Sequence, residues 1–243
     1  MANWSDPRPD AGVTSLGRSA ADAQSVAYDA GLRAFMLGVY NYMASAVLLS
    51  GVVAMGFAMS GFAAQVYRGP LGLVLVFAPL AFILFMNFKR MSFGALQATF
   101  WGFAVVMGLS MSILFLRYSE VSIAQAFFAT AAGFAALSLY GYTTNRNLSA
   151  MGSFMIVGLV GLIVASLLNV FLHSNPLAMV ISFAGVLVFA GLTAWDTQRT
   201  KAIYSYVAGT PDEGRAKIMA ATNLYLDFVN MFQFLLSIFG GRR

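Results

Sequence analysis

The stretch Asn147–Trp195 contains 49 residues without a single Asp, Glu, Lys or Arg. A helix needs about 20 apolar residues to cross the hydrocarbon core of a bilayer, so this stretch predicts two membrane-spanning helices rather than one. The segment HSNP (173–176) interrupts it, and proline is favoured in the first turn of a helix. We therefore expect one helix to end near His173 and the next to begin near Pro176.

The rest of the chain has the same character. Of its 243 residues, 60% are hydrophobic and 9% are charged, whereas a soluble domain carries about 25% charged residues. The composition predicts an all-α integral membrane protein that crosses the bilayer several times. Charge-free runs predict seven transmembrane helices, at roughly 32–59, 71–87, 92–116, 121–142, two within 147–195, and 218–239.

Composition also excludes several kinds of site. Cysteine is absent and there is one histidine, so disulfides, thiolate catalysis and Cys- or His-rich metal sites are excluded. The net charge of +5 comes from Lys and Arg scattered between apolar runs. Because no basic cluster could follow a phosphate backbone, we expect no nucleic-acid partner. The lipid bilayer is the first partner that the sequence implies.

The N-terminal residues differ from the remainder. Residues 1–30 are polar and lack the apolar centre of a signal peptide. We interpret them as a flexible polar tail, whose end is able to form a short lead-in helix. Residues 31–243 are the seven-helix transmembrane domain.

The distribution of basic residues predicts the orientation. Loops with an excess of Lys and Arg remain in the cytoplasm. With seven helices and a cytoplasmic N-terminus, ten of the 14 basic residues lie on the cytoplasmic side and four on the other. We therefore expect a cytoplasmic N-terminus and tail. The Arg242–Arg243 pair argues the other way, and a re-entrant last segment would return it to the cytoplasm.

Two acids fall within the predicted spans. Asp227 lies about seven residues into the last span, and Asp196 lies near the cytoplasmic end of the sixth. An aspartate at the centre of a transmembrane helix costs about 2.5–3.5 kcal/mol or more, so each needs a partner, a proton or water. If the sixth helix continues past Gln198, the two carboxyl groups can face each other. Two adjoining carboxylates do not both ionise easily, so they would share a proton and respond to pH.

Other polar residues accompany this pair. Asn223 and Asn230 fall on the same helix face as Asp227 and support it, the simpler interpretation being an interhelical hydrogen-bond cluster. Lys89 and Arg90, in the loop MNFKRMSF (86–93), are cations on the same side of the membrane. They are either ordinary cytoplasmic loop charges or a gating partner for the acidic pair.

Four segments resemble a known family. LRAFMLGVYNYMA (32–44), QAFFATAAGFAALSLYGYTTNRNLS (125–149), AWDTQR (194–199) and NLYLDFVNMFQFLL (223–236) are similar, in this order, to the bacterial branch of the Bax inhibitor family, the transmembrane Bax-inhibitor-motif proteins. The resemblance covers roughly residues 31–240.

The resemblance implies a fold and a function. It implies seven helices with the last one central in the bundle, and a pH-sensitive calcium leak channel in the bacterial inner membrane. The family's paired aspartates fall on Asp196 and Asp227, which would act as the sensor and as a weak calcium contact. Arg90 is the better match to the family's gating cation, with Lys89 beside it. No cofactor is implied apart from calcium in transit.

Two alternatives to a channel remain. Some bacterial relatives bind and restrain a membrane-anchored ATP-dependent protease, so the chain is alternatively a non-transporting regulator that offers its tail to such a partner. Paired intramembrane acids also occur in aspartyl proteases, which carry Gly-x-Gly before the second acid. Here Leu224, Tyr225 and Leu226 precede Asp227. The sequence therefore does not favour an enzyme.

Overall fold

The computed structural model describes the backbone of residues 11–85 and 91–241, and the side chains of residues 24–84 and 91–241. Within these ranges the chain forms eight α-helices and no extended β-sheet. Their bounds are α1 Ala11–Met59, α2 Phe62–Arg68, α3 Leu71–Phe85, α4 Phe93–Arg117, α5 Glu120–Thr143, α6 Ser149–Leu172, α7 Asn175–Val207 and α8 Glu213–Phe239.

The first helix is much longer than a membrane is thick. At 1.5 Å per residue, the 49 residues of α1 extend about 73 Å, and a hydrocarbon core is about 30 Å thick. Its apolar part is Gln24–Met59. The sequence predicted a polar tail over residues 1–30 with a lead-in helix at its end; in the structure, α1 begins at Ala11.

The second predicted span, at roughly 71–87, corresponds to α3, and a short helix α2 precedes it. Gly61 has φ 76°, a left-handed conformation that glycine adopts without a steric penalty, and it turns the chain from α1 into α2. Helices α2 and α3 then meet at an angle of 95°. With 15 residues, α3 alone is about 22 Å long, and the bent α2–α3 pair has the form of a broken span or a re-entrant loop.

The break predicted within the long charge-free stretch is confirmed. Helix α6 ends at Leu172, and His173 follows with φ 50°. Ser174 caps α7 by accepting a hydrogen bond from the Leu177 N–H, and Pro176 lies in the first turn. The proline has no N–H to lose there, so it fixes the start of the helix.

Within the described residues, five helices are long and apolar enough to cross a membrane, and the number is six if the bent α2–α3 pair is one span. The predicted seventh span corresponds to α8. That helix falls outside this group because Asn223, Asp227, Asn230 and Gln233 interrupt its apolar run. The chain is thus a multi-pass helical membrane protein, with a last helix more polar than the others.

Helix α8 lies in the interior of the bundle. It packs against α1, α4, α5 and α7, and it contributes fully buried side chains such as Leu224, Tyr225 and Leu236. Helix α6 packs only against α7 in the described part of the chain, and most of its apolar side chains are exposed. The most polar helix is therefore enclosed by protein, while the apolar α6 is left to face lipid.

Candidate functional site

Asp196 on α7 and Asp227 on α8 lie side by side inside the bundle. Their exposed fractions are 8% and 4%, and their carboxyl groups lie within hydrogen-bonding range of each other. A hydrogen bond between them requires a proton on one of the two, because an ionised carboxylate only accepts hydrogen bonds. The structure therefore brings together the two acids that the sequence singled out.

The pairing follows from the way α7 and α8 connect. Helix α7 continues past Gln198 to Val207. The sequence alone did not decide whether the helix extends beyond Gln198. Asp196 lies 11 residues before the end of α7, and Asp227 lies 14 residues after the start of α8. These distances correspond to about 16 and 21 Å along the two helices, so the two side chains reach similar heights.

One oxygen of the pair has no partner. Asp227 Oδ2 is buried and accepts no hydrogen bond from any of the described residues. An unsatisfied buried polar group costs about 1–3 kcal/mol. A proton bound at this oxygen would lower that cost.

Helix α5 approaches the pair closely. A Cβ atom added to Gly141 would collide with the carbonyl oxygen of Ala194 on α7, two residues before Asp196. Beside this contact, the Thr197 hydroxyl donates to Ser138 Oγ at 3.3 Å. The sequence analysis did not identify this contact, although small and polar residues at four-residue spacing on α5 were a usable signal.

Gln198 joins α7 to the loop between α5 and α6. Its Nε2 donates to the Arg146 carbonyl at 2.8 Å, and its Oε1 accepts from the Leu148 N–H at 2.9 Å. Both ends of the amide are therefore used, two residues after Asp196. In the sequence, Gln198 only marked how far the sixth helix extends. Its two hydrogen bonds were not predicted, because a lone glutamine near a helix end does not indicate its partners.

The described cation that acts on the pair is Arg199. Its charge acts on Asp196, one turn away on α7, and its guanidinium lies over the Trp195 ring, 5.2 Å from the centroid. The predicted gating cations, Lys89 and Arg90, lie outside the described residues.

The two predicted supporting amides lie on either side of Asp227. Asn230 is partly buried, and its Nδ2 donates to the Leu226 carbonyl at 2.8 Å within α8. Asn223 is exposed. Neither amide hydrogen-bonds to Asp227 among the described contacts.

A second polar contact anchors α8 close to the pair. The Tyr225 hydroxyl and Ser50 Oγ on α1 are 2.6 Å apart, and Ser50 Oγ lies 2.8 Å from the Ala104 carbonyl of α4. Tyr225 is fully buried. This network ties three helices together two residues before Asp227.

The pair is not part of a larger cluster of metal ligands. Among the described residues, no group of three or more His, Cys, Asp or Glu side chains could hold a metal ion. Calcium usually takes six to eight oxygen ligands. Two carboxyl groups alone can therefore make only an incomplete contact with calcium.

Comparisons with known proteins identify the family. The sequence profile of the family described as "Inhibitor of apoptosis-promoting Bax1" matches residues 32–243. The chain is 47% identical to protein RP147 of Rickettsia prowazekii, over 89% of this chain and 93% of the relative. It is 43% identical to a Caulobacter vibrioides protein, over 92% and 94%, and 38% identical to the inner membrane protein YbhL of Escherichia coli, over 88% and 94%. The resemblance seen in the sequence is thus confirmed, and this multi-pass membrane protein belongs to the Bax inhibitor family.

Proposed function

We propose that this protein is a pH-sensitive calcium or cation leak of the bacterial inner membrane, gated by Asp196 and Asp227. The observation that carries the proposal is the close, buried pair of carboxyl groups between α7 and α8. Loss of the shared proton adds one negative charge to a site enclosed by protein. Since an uncompensated buried charge is costly, the change favours a rearrangement of the helices or the entry of a cation.

The few oxygen ligands of the acidic pair suit the passage of calcium better than its tight binding. The pair offers few oxygens, and the described residues contain no larger ligand cluster. Conduction requires sites weak enough for an ion to leave again. Calcium is therefore a transient occupant of Asp196 and Asp227 in this proposal, and the protein needs no resident cofactor.

A cavity lies along α8 on the side of α3 and α4. It has a volume of about 390 Å³ between α3, α4 and α8, and its wall includes Leu226, Asn230, Gln233 and Ser110. Leu226 adjoins Asp227 in the chain. Pro79 also lines the cavity, within α3, where proline removes a backbone hydrogen bond and favours a kink. The polar residues of this cavity support a route for ions along α8 in this proposal.

The proposed topology has a cytoplasmic N-terminus and α8 as the seventh span, central in the bundle. Its support is the packing of α8 against four other helices and the excess of basic residues on the N-terminal side. Lys89 and Arg90 follow α3 in the sequence. Their role as gating cations is part of this proposal.

Calcium flux into liposomes that contain the purified protein tests the proposal. We expect wild-type flux to depend on pH, since the pair gains or loses its shared proton in this proposal. Asp196→Asn and Asp227→Asn should abolish that pH dependence. Asp212→Asn is the matched control, because Asp212 is an exposed acid before α8. If both pair variants keep wild-type flux and pH dependence, the proposal fails.

The alternative function is a regulator that restrains a membrane-anchored ATP-dependent protease. It is favoured by the length of α1, whose residues 11–30 extend the helix by about 30 Å and supply a surface for such a partner. Deletion of residues 1–23 should then abolish co-purification of the protease, while Asp227→Asn should not. A truncated chain that still co-purifies with the protease contradicts this alternative.

A further inference from the structure

Two cavities adjoin at the end of the bundle that carries the α7–α8 loop. The first, of about 550 Å³, is a slot between α1 and α5. The second, of about 720 Å³, is a polar pocket between the ends of α1, α5 and α7. Arg33 and Tyr142 line both. The apolar slot and the polar pocket are therefore direct neighbours, separated by the Arg33 and Tyr142 side chains that line both.

The slot has the form of a groove for a hydrocarbon chain. Residues one turn apart on α1 form one wall and residues one turn apart on α5 form the other. The lining side chains are Met36, Leu37, Tyr40, Phe134, Ala135 and Leu139. From Arg33 to Tyr40 the slot extends about 10 Å along α1. Leu37 and Leu139 at its rim are 52% and 63% exposed, so the slot opens sideways toward lipid.

The polar pocket contains two cations. Arg33 and Lys201 line it together with one acid, Asp29. Lys201 Nζ donates to the Tyr142 carbonyl at 3.1 Å and lies 5.0 Å from the centroid of the Tyr142 ring. These contacts fix the ammonium group and leave it further N–H donors.

The acids of this region do not neutralise the two cations. In the part of the chain that the structure describes, the ion pairs are Arg215–Asp212 and Lys217–Glu213, and neither involves Arg33 or Lys201. With Asp29 counted, the pocket carries one net positive charge. An anion that enters it therefore meets two cations and one carboxylate.

We propose that the slot and the pocket together bind one anionic glycerophospholipid. The phosphodiester interacts with Arg33 and Lys201, and the first part of one acyl chain lies in the slot between α1 and α5. Charge selects an anionic over a zwitterionic lipid, and the adjoining apolar slot selects a lipid over a free anion. In the proposed orientation the site faces the cytoplasmic leaflet, whose anionic lipids attract basic residues near the surface.

Native mass spectrometry of the purified full chain in nonionic detergent tests the site. The probes are dioleoyl phosphatidylglycerol and dioleoyl phosphatidylcholine, titrated separately. A basic residue near an anionic lipid surface contributes a free energy equivalent to about fivefold in affinity. We expect phosphatidylglycerol to bind more tightly than phosphatidylcholine, and Arg33→Gln and Lys201→Gln each to reduce that preference about fivefold.

Matched variants separate charge, shape and folding. Lys201→Arg should retain the preference, Asp29→Asn should increase it, and Arg68→Gln, at the opposite end of the bundle, should leave it unchanged. Ala135→Trp fills the slot at an exposed position and should reduce binding of the whole lipid.

Three results would overturn the proposal. The first is equal binding of the two lipids to the wild type, and the second is an unchanged preference in the Arg33→Gln, Lys201→Gln double variant. The third is competition by soluble glycerol phosphate as strong as that by the whole lipid, since this would indicate an anion pocket without a lipid site.

Discussion

Gly141 provides a direct test of the packing beside the acidic pair. Replacement by alanine adds a Cβ atom that collides with the Ala194 carbonyl oxygen. Both atoms belong to rigid helix backbones, so α5 and α7 must separate, and overpacking of this kind costs about 1–3 kcal/mol. Gly133 lies on the same helix and has nothing within 4 Å of an added Cβ. Gly133→Ala should therefore stabilise the protein by up to about 1 kcal/mol through helix propensity.

The comparison of these two variants isolates the collision, because the propensity gain is common to both. A change of 1 kcal/mol shifts the Tm of a domain of this size by about 2–4 °C. We expect Gly141→Ala to melt about 2–12 °C below Gly133→Ala. Intrinsic tryptophan fluorescence during thermal unfolding in detergent is a suitable assay, since the chain has no cysteine for thiol-reactive dyes. Equal Tm values for the two variants would refute the close α5–α7 contact.

Three further variants test other contacts. Gln198→Ala should increase hydrogen exchange in the α5–α6 loop, because it removes both bonds that hold that loop to α7. Tyr225→Phe removes the hydroxyl bound to Ser50 and should lower the unfolding free energy by about 1 kcal/mol; unchanged unfolding would contradict the contact. The hydrogen bond from Lys217 holds the pKa of Glu213, in the loop-side first turn of α8, below its ordinary value. The stabilisation is present above the unfolded-state pKa and lost as pH falls through the folded-state pKa, so Glu213→Gln should reduce the loss of Tm on acidification.

Much of the architecture follows from charge-free runs. The 49-residue stretch had to contain two helices, and the HSNP segment had the residues that end one helix and begin the next. Charge-free, apolar runs do not identify α8 as clearly as a membrane span. Its apolar residues face protein rather than lipid, so its amphipathic sequence is less hydrophobic than a lipid-exposed span such as α6.

The acidic pair was also predictable, because an aspartate within a span requires an explanation. The residues that surround the pair were not predictable from the sequence. The contact between Thr197 and Ser138 and the packing of Gly141 on α7 depend on which helix faces are neighbours. Serine, threonine and glycine are common in membrane helices, so their presence alone does not identify the few that lie beside the acids.

The long first helix and the bend between α2 and α3 show a further limit. A polar segment without an apolar centre resembles a flexible tail, yet residues 11–30 continue α1. In the second span, Gly69 and Pro70 mark an irregular backbone, but the angle of 95° between α2 and α3 depends on packing against α4. Hydropathy indicates how long such a segment is, but it does not indicate where the helix bends or in which direction it continues.

The central claim is that Asp196 and Asp227 share one proton in the folded protein. Infrared difference spectroscopy of the protein in lipid bilayers measures this directly, because a protonated carboxyl group has a C=O stretch distinct from that of a carboxylate. The account predicts that the wild type shows a protonated carboxyl band at neutral pH, and that the band disappears over the pH range in which cation flux changes. A wild-type spectrum with both carboxylates ionised at neutral pH, or a band that the Asp196→Asn, Asp227→Asn double variant retains, would contradict it.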